Sequence, residues 1–229
     1  MATLKKKFFG NVSGAFGDAV FRQVGDKNYI AQRPAEYKAP DTQDYKDRTT
    51  KFGLSVKLAK SIYRIPVLKT LWEKEFPNET RLFNFIVRKN YPFINPDGIS
   101  STPYLLPDED SFSVNVSTAA VSESSVNVEI AALNNTGKID TNIDKKIKLF
   151  SVLLLANPVD QGLPGFNFIT MQSEDIILSV SDPVTFNIVP SQTNSDRMLG
   201  YGQRKTFFVL VTLDDNGVPV NYSSTFYAS

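Results

Sequence analysis

Few side chains in this sequence can do chemistry. Neither His nor Cys occurs among its 229 residues. That removes imidazole bases, thiolate nucleophiles, disulfides, Cys/His zinc sites and the Ser-His-Asp triad. What survives is carboxylate-pair catalysis, Lys or Tyr chemistry, and cation sites built from oxygen alone. Asp108, Glu109 and Asp110, together with Asp140, Asp144 or Asp160, form the acidic set to weigh for Ca²⁺. EF-hand spacing is absent, and a solvated acidic segment explains the run. A glycosidase pair needs two carboxylates about 5–10 Å apart across a cleft, and no feature of the sequence sets one up. The polar stretch from Ser191 to Gly202, with Arg197 and Tyr201, reads more readily as an ordinary long loop than as a sugar or protein contact. Gly10, Gly14 and Gly17 resemble a phosphate loop only superficially, because no Gly-Lys-Ser/Thr ending follows. No catalytic, cofactor or metal residue is assigned. The chain reads as a binding or structural protein and not as an enzyme.

Net charge is near zero, but it is unevenly placed. Residues 1–100 hold 18 Lys and Arg against 10 Asp and Glu, a net of +8, and residues 101–229 hold 7 against 14, a net of −7. Such a split orients partners, or stacks copies positive end to negative end. The basic excess is diffuse, so nucleic acid contact is left open and is not expected. No run of about 18 apolar residues exists, so no transmembrane helix and no membrane partner are expected. Lys5, Lys6 and Lys7 are followed by Phe-Phe-Gly-Asn and not by an apolar stretch, which does not read as a signal peptide. A chain without Cys suits the cytoplasm, or a particle assembled there.

The elements that must position these residues fall into four stretches: a Gly-rich arm and hairpin (1–40), a helical region (41–90), a Pro/Asn/Gly/Ser-rich linker (91–107) and an all-β part (108–229). Ala19 to Val24 reads as a strand, Gly25-Asp26-Lys27 as its turn and Asn28 to Gln32 as the return, ended by Arg33-Pro34. Two strands alone are marginal in water, so this hairpin needs a partner surface. Its residues Val20, Phe21, Val24, Tyr29, Ile30 and Arg33 are the candidate protein interface. A helix follows from Thr42, with Asp41 as its cap and Tyr45, Phe52, Val56, Ala59 and Tyr63 on one face. It breaks at Ile65-Pro66. Shorter helices carry Leu68, Leu71, Trp72 and Phe76, then Leu82, Phe85, Ile86 and Lys89.

Beyond residue 107 the hydrophobic period becomes two. Val126, Val128 and Ile130 alternate with polar residues, and Ile147 to Ala156 is a near-continuous apolar run suited to a central strand. Phe166 to Met171, Asp175 to Val180 and Val184 to Val189 read as further strands. The Phe207 to Leu213 strand meets its return through Asp214-Asp215-Asn216-Gly217. The whole is expected to be α+β: an N-terminal β-hairpin and short helical bundle, followed by an antiparallel immunoglobulin-like β-sandwich.

The glycines at 10, 14 and 17, then Ala19-Val20-Phe21-Arg22, Tyr29 to Pro34, adjacent Thr42 and Gln43, and Lys51-Phe52 together resemble a family found in Bacteroidetes and their phages, crAss-like phages included. The close match covers about the first 60 residues. The resemblance implies a virion structural protein, assembled in the host cytoplasm. It points to a homo-oligomeric ring or connector subunit at the portal–tail neck, in contact with portal or tail proteins. The alternative is a surface or fibre adhesion module whose sandwich binds glycan or host protein.

Overall fold

The computed structural model describes residues 2–4, 14–24, 27–33, 39–134 and 136–228. The chain divides into two compact units, Met1–Tyr45 and Lys46–Ser229.

The first unit is a four-stranded antiparallel sheet, not the two-stranded hairpin expected. Its strands are β1 (Ala2–Leu4), β2 (Gly14–Phe16), β3 (Ala19–Val24) and β4 (Lys27–Gln32), in the order β1-β4-β3-β2. The anticipated hairpin is its centre, with Phe21 opposite Ile30 and Arg22 opposite Tyr29. Gly25 and Asp26 of its turn lie outside the described residues. The second hairpin turns on Gly17 and Asp18, between Phe16 and its partner Ala19. Gly17 has φ +56°, a left-handed conformation that a side chain resists and glycine does not. The Arg33 N–H donates to the Asp18 carbonyl at 2.6 Å, tying the end of β4 to that turn.

Three helices come next, the first starting at the last residues of the first unit and running on into the second. They are α1 (Gln43–Tyr63), α2 (Pro66–Glu75) and α3 (Leu82–Asn90). Thr42, not Asp41, stands at the cap position of α1, its Oγ1 accepting the Tyr45 N–H at 3.4 Å. The buried face of α1 is Leu54, Leu58, Ala59 and Ile62, so the expected stripe through Phe52 was rotated. Leu54, Leu58 and Ile62 recur at intervals of four and outweigh the aromatic residues. Phe52 lies about 200° around the helix from Leu54 and is 56 % exposed. Pro66 opens α2, where its missing N–H costs nothing. Trp72 is buried there and donates its indole N–H to the Leu105 carbonyl at 2.9 Å.

The stretch read as a linker is packed chain. It forms a 3₁₀ turn (Tyr91–Phe93) and a small hairpin of β5 (Ile94–Asn95) and β6 (Gly98–Ile99). Ile94, Ile99, Leu105 and Leu106 are buried in the same core as the helices. Buried Asn90 pins this stretch, donating to the Ile86 and Tyr104 carbonyls and accepting the Tyr104 N–H. Pro, Asn and Gly marked real turns here, and their polarity hid four aliphatic anchors.

The β part follows as β7 (Val116–Val121), β8 (Val126–Ile130), β9 (Lys146–Pro158), β10 (Phe166–Gln172), β11 (Ile176–Ile177), β12 (Val184–Ile188), β13 (Tyr201–Leu213), β14 (Pro219–Tyr222) and β15 (Phe226–Ala228). One helix, α4 (Gln192–Leu199), interrupts it. The larger sheet runs β10-β9-β13-β14, with β11 also on β9 and β15 also on β13. The smaller runs β12-β8-β7. All these strand pairs are antiparallel. The Asp175 to Val180 strand shrinks to Ile176–Ile177.

The long strands β9 and β13, 13 residues each, pair along their full length, from Tyr201 opposite Pro158 to Leu213 opposite Lys146. Successive side chains point to opposite faces. Phe150, Val152, Leu154, Phe207, Val209 and Val211 meet the helices in one core. Leu149, Leu153, Leu155, Phe208 and Leu210 meet Val126, Val128, Ile130 and Phe186 of the smaller sheet in a second core. The architecture is α+β in three layers: helices, large sheet, small sheet. A strand apolar on both faces must be covered on both, which is why β9 reads as a continuous run.

Phe150 and Phe208 each lie fully buried, one in each core. Phe150→Ala and Phe208→Ala should each cost about 3–5 kcal/mol in urea unfolding. Trp72 fluorescence and far-ultraviolet circular dichroism should shift together in both variants, since the cores share β9 and β13. A Trp72 transition indifferent to Phe208→Ala would contradict a shared unit.

Candidate protein-interaction surfaces

The six candidate interface residues share one small sheet but not one face. Residues directly opposite on antiparallel strands lie on the same side. Phe21 and Ile30 therefore share a face with Ala19 and its partner Phe16, whereas Val20 shares the other with Ala31, and Tyr29 with Arg22. Val24 pairs in register with Lys27 at the strand end. Arg33 is exposed just beyond β4. Val20, Phe21, Tyr29 and Ile30 are only partly buried, and Phe16 is 82 % exposed. A shallow cavity of about 570 Å³ opens beside Phe16, Ala19, Ile30 and Ala31. Among the described residues, none of this sheet belongs to either apolar core. Strand Gly14–Phe16 was legible in principle: Gly-Asp between Phe16 and Ala19 is a two-residue hairpin signal.

A second apolar surface lies on the helices. Phe52 and Val56 of α1, Phe83 and Val87 of α3, and Tyr91 and Pro92 beyond it line a groove of about 710 Å³, with Asn84 and Arg88. Phe83 is fixed edge-on to Tyr63, with ring centroids 5.9 Å apart. The Lys51 ammonium stands 4.3 Å from the centre of the Tyr91 ring, and the Arg88 guanidinium 5.1 Å from that of Phe85. No carboxylate lines this groove. Residues 46–100 carry 11 Lys and Arg against 5 Asp and Glu, so the helical layer is basic.

The acidic constellation is dispersed into structural duties. Asp144, 2 % exposed, accepts from the Thr212 hydroxyl, from the Asn221 amide at 3.1 Å and from the Asp140 N–H at 2.8 Å. It stitches the loop before β9 to β13 and β14. Glu109 pairs with Lys89 and Asp110 with Lys138, each at 3.4 Å. Among the described residues no three His, Cys, Asp or Glu side chains gather as metal ligands. Burial pushes the Tyr222 hydroxyl well above its ordinary range, and the carboxylates of Glu75 and Asp110 add to the shift. It stays protonated at neutral pH.

The polar stretch after Ser191 is α4, announced by Ser191 as its cap and Gly200 at its end. Met198 is buried, the Ser195 hydroxyl donates to the Glu123 carbonyl at 2.7 Å and the Tyr201 hydroxyl to the Pro164 carbonyl at 2.9 Å. Arg204 meets Glu123 at 2.5 Å. A backbone hydrogen bond and this guanidinium hold the Glu123 carboxyl below the usual carboxylate range.

No protein-family model matches the chain. No curated protein matches it either. Among solved structures, part of the chain is similar to MtrC from Shewanella baltica, at 7 % identity and a TM-score of 0.30 over 51 % of this chain and 21 % of that one. It is also similar to a beta-glucosidase from Kluyveromyces marxianus, at 13 % identity and a TM-score of 0.23 over 53 % of this chain and 14 % of that one. The chain thus spans about a fifth or less of either protein. Likeness at this level carries no argument about activity.

Asp144→Ala strands several buried donors at once and should cost about 3 kcal/mol in urea unfolding. Millimolar Ca²⁺ or a chelator should leave the melting temperature of the natural chain unchanged. A rise with Ca²⁺ would contradict the purely structural role of Asp144.

Proposed function

We propose that this chain is a non-enzymatic structural protein that assembles with copies of itself, as a ring or connector subunit in the neck of a phage virion. The observation that carries the reading is the N-terminal sheet. It presents Phe16, Phe21 and Ile30 on one face and Val20 and Tyr29 on the other, with no buried apolar core of its own among the described residues. A small sheet of this kind gains stability from a surface laid against it. Full burial of each large apolar side chain contributes about 1.5–3 kcal/mol, against about 0–1 kcal/mol for an exposed ion pair. Apolar contact would therefore hold the assembly, and the opposed charges of the two halves would orient it. Portal and tail proteins are the further partners this role implies, and the virion, built in the host cytoplasm, is its place.

The β part reads, in this proposal, as an immunoglobulin-like sandwich. The chain places β7 and β8 in one sheet, β9 and β10 in the other, β12 back in the first, and β13 and β14 again in the second. That alternation supports the reading. A sandwich of this kind serves as a rigid body on which assembly surfaces are mounted, which fits a role without catalysis.

Sedimentation of the full chain tests the proposal. The natural protein should form one discrete oligomer, and Phe21→Ser should weaken association at least about tenfold, the cost of losing one anchor of about 1.4 kcal/mol. The urea midpoint reported by Trp72 should not move. Monomers for both proteins at high concentration would overturn it.

A further inference from the structure

We infer that the groove between α1 and α3 receives, from a second copy of this chain, an apolar side chain flanked by carboxylates. The inference rests on the self-assembly proposed above and deepens it by naming the receiving site.

Phe52, 56 % exposed, Phe83 and Tyr91 are the aromatic walls of a groove completed by Val56, Val87 and Pro92, with Asn84 and Arg88 as its polar members. Helices that present apolar side chains across a groove of this size are a recurrent docking surface for amphipathic segments. The charges at its edge select among such segments. Lys51 stands over the Tyr91 ring, and Arg88 lies in the lining with its side chain 73 % exposed and its guanidinium 3.9 Å from the Glu79 carboxylate, a long and open pairing. With no carboxylate in the lining, an incoming acidic group meets attraction, and an incoming basic group meets like charge.

This chain carries the matching ligand. Residues 101–229 have a net charge of −7. Val218, 54 % exposed, follows Asp214 and Asp215 at the β13–β14 turn. The N-terminal unit is a poorer match, because residues 1–45 hold 7 Lys and Arg against 5 Asp and Glu. A basic groove on one part of the chain and an acid-flanked aliphatic tip on another make a head-to-tail contact between copies, the kind that closes into rings.

The test mixes heavy-nitrogen-labelled and unlabelled full chain in equal amounts and joins neighbouring ammonium and carboxylate groups with a zero-length carbodiimide. Mass spectrometry should find Lys51 coupled, in mixed-isotope pairs, to Asp214 or Asp215. Phe52→Asp should lower the yield of those pairs at least about tenfold. Lys51 coupled only within its own copy, coupled to carboxylates other than these two, or coupled equally well in Phe52→Asp would overturn the inference. Sedimentation of the same mixture separates the two claims. An oligomer without the Lys51 pairs overturns the groove assignment alone, and a monomer overturns the self-assembly reading with it.

Discussion

The pairing of β9 with β13 is the constraint on which the rest of the second unit depends. Each strand is apolar on both sides, so the pair is stable in water only when each face is covered. The helices cover Phe150, Val152, Phe207 and Val209, and the small sheet covers Leu149, Leu153, Phe208 and Leu210. Neither layer can be removed without exposing a stripe of large side chains, at roughly 25 cal/mol per Å² of apolar area returned to water. The polar groups within this pair are satisfied: the Ser151 hydroxyl donates to the Met171 carbonyl, and Thr212 donates to Asp144. The same logic draws residues 91–107 into the helical core, where the Trp72 indole and the Asn90 amide hold their backbone.

What the sequence made legible follows from this constraint. A strand buried on both faces leaves an apolar run of strand length, so β9 stood out as central. Asn216-Gly217 announced its hairpin, and Asp214 Oδ1 accepts the Asn216 and Val218 N–H groups there. Helix limits were marked by Pro66 and by the residues around Thr42. The face of α1 was less legible, because Tyr45 and Phe52 drew attention from the plainer repeat of Leu54, Leu58 and Ile62. Helix α4 was hidden by polarity: only Met198 of its residues is buried, so it has almost no hydrophobic stripe to read. The boundary at residue 107 was misleading because a change of period marks a change of element type, not a separate core.

The candidate surfaces were legible to a lesser degree. Aromatic residues in a short hairpin signalled an unmet need for cover, and that signal survives in a sheet of four strands. Pairing register, which decides that Phe21 and Ile30 share a face and that Val20 does not, depends on turn geometry and is not a property of composition. The helical groove was read as core because Phe52 fell on the stripe assigned to the interior. Its true position, opposite Leu54, leaves an aromatic wall facing outward on a basic layer. The acidic residues, read as a solvated run, are in part tied into the fold: Glu109 and Asp110 in ion pairs and Asp144 as a buried pin.

The proposed assembly draws on a three-layer body, a small sheet with no core of its own among the described residues, and a divided charge. Electron microscopy of the purified full-length chain at concentrations where it associates tests this most directly. The account predicts closed rings of one size, with subunits in equivalent positions. A field of separate single subunits, or of irregular aggregates with no repeating contact, would contradict it.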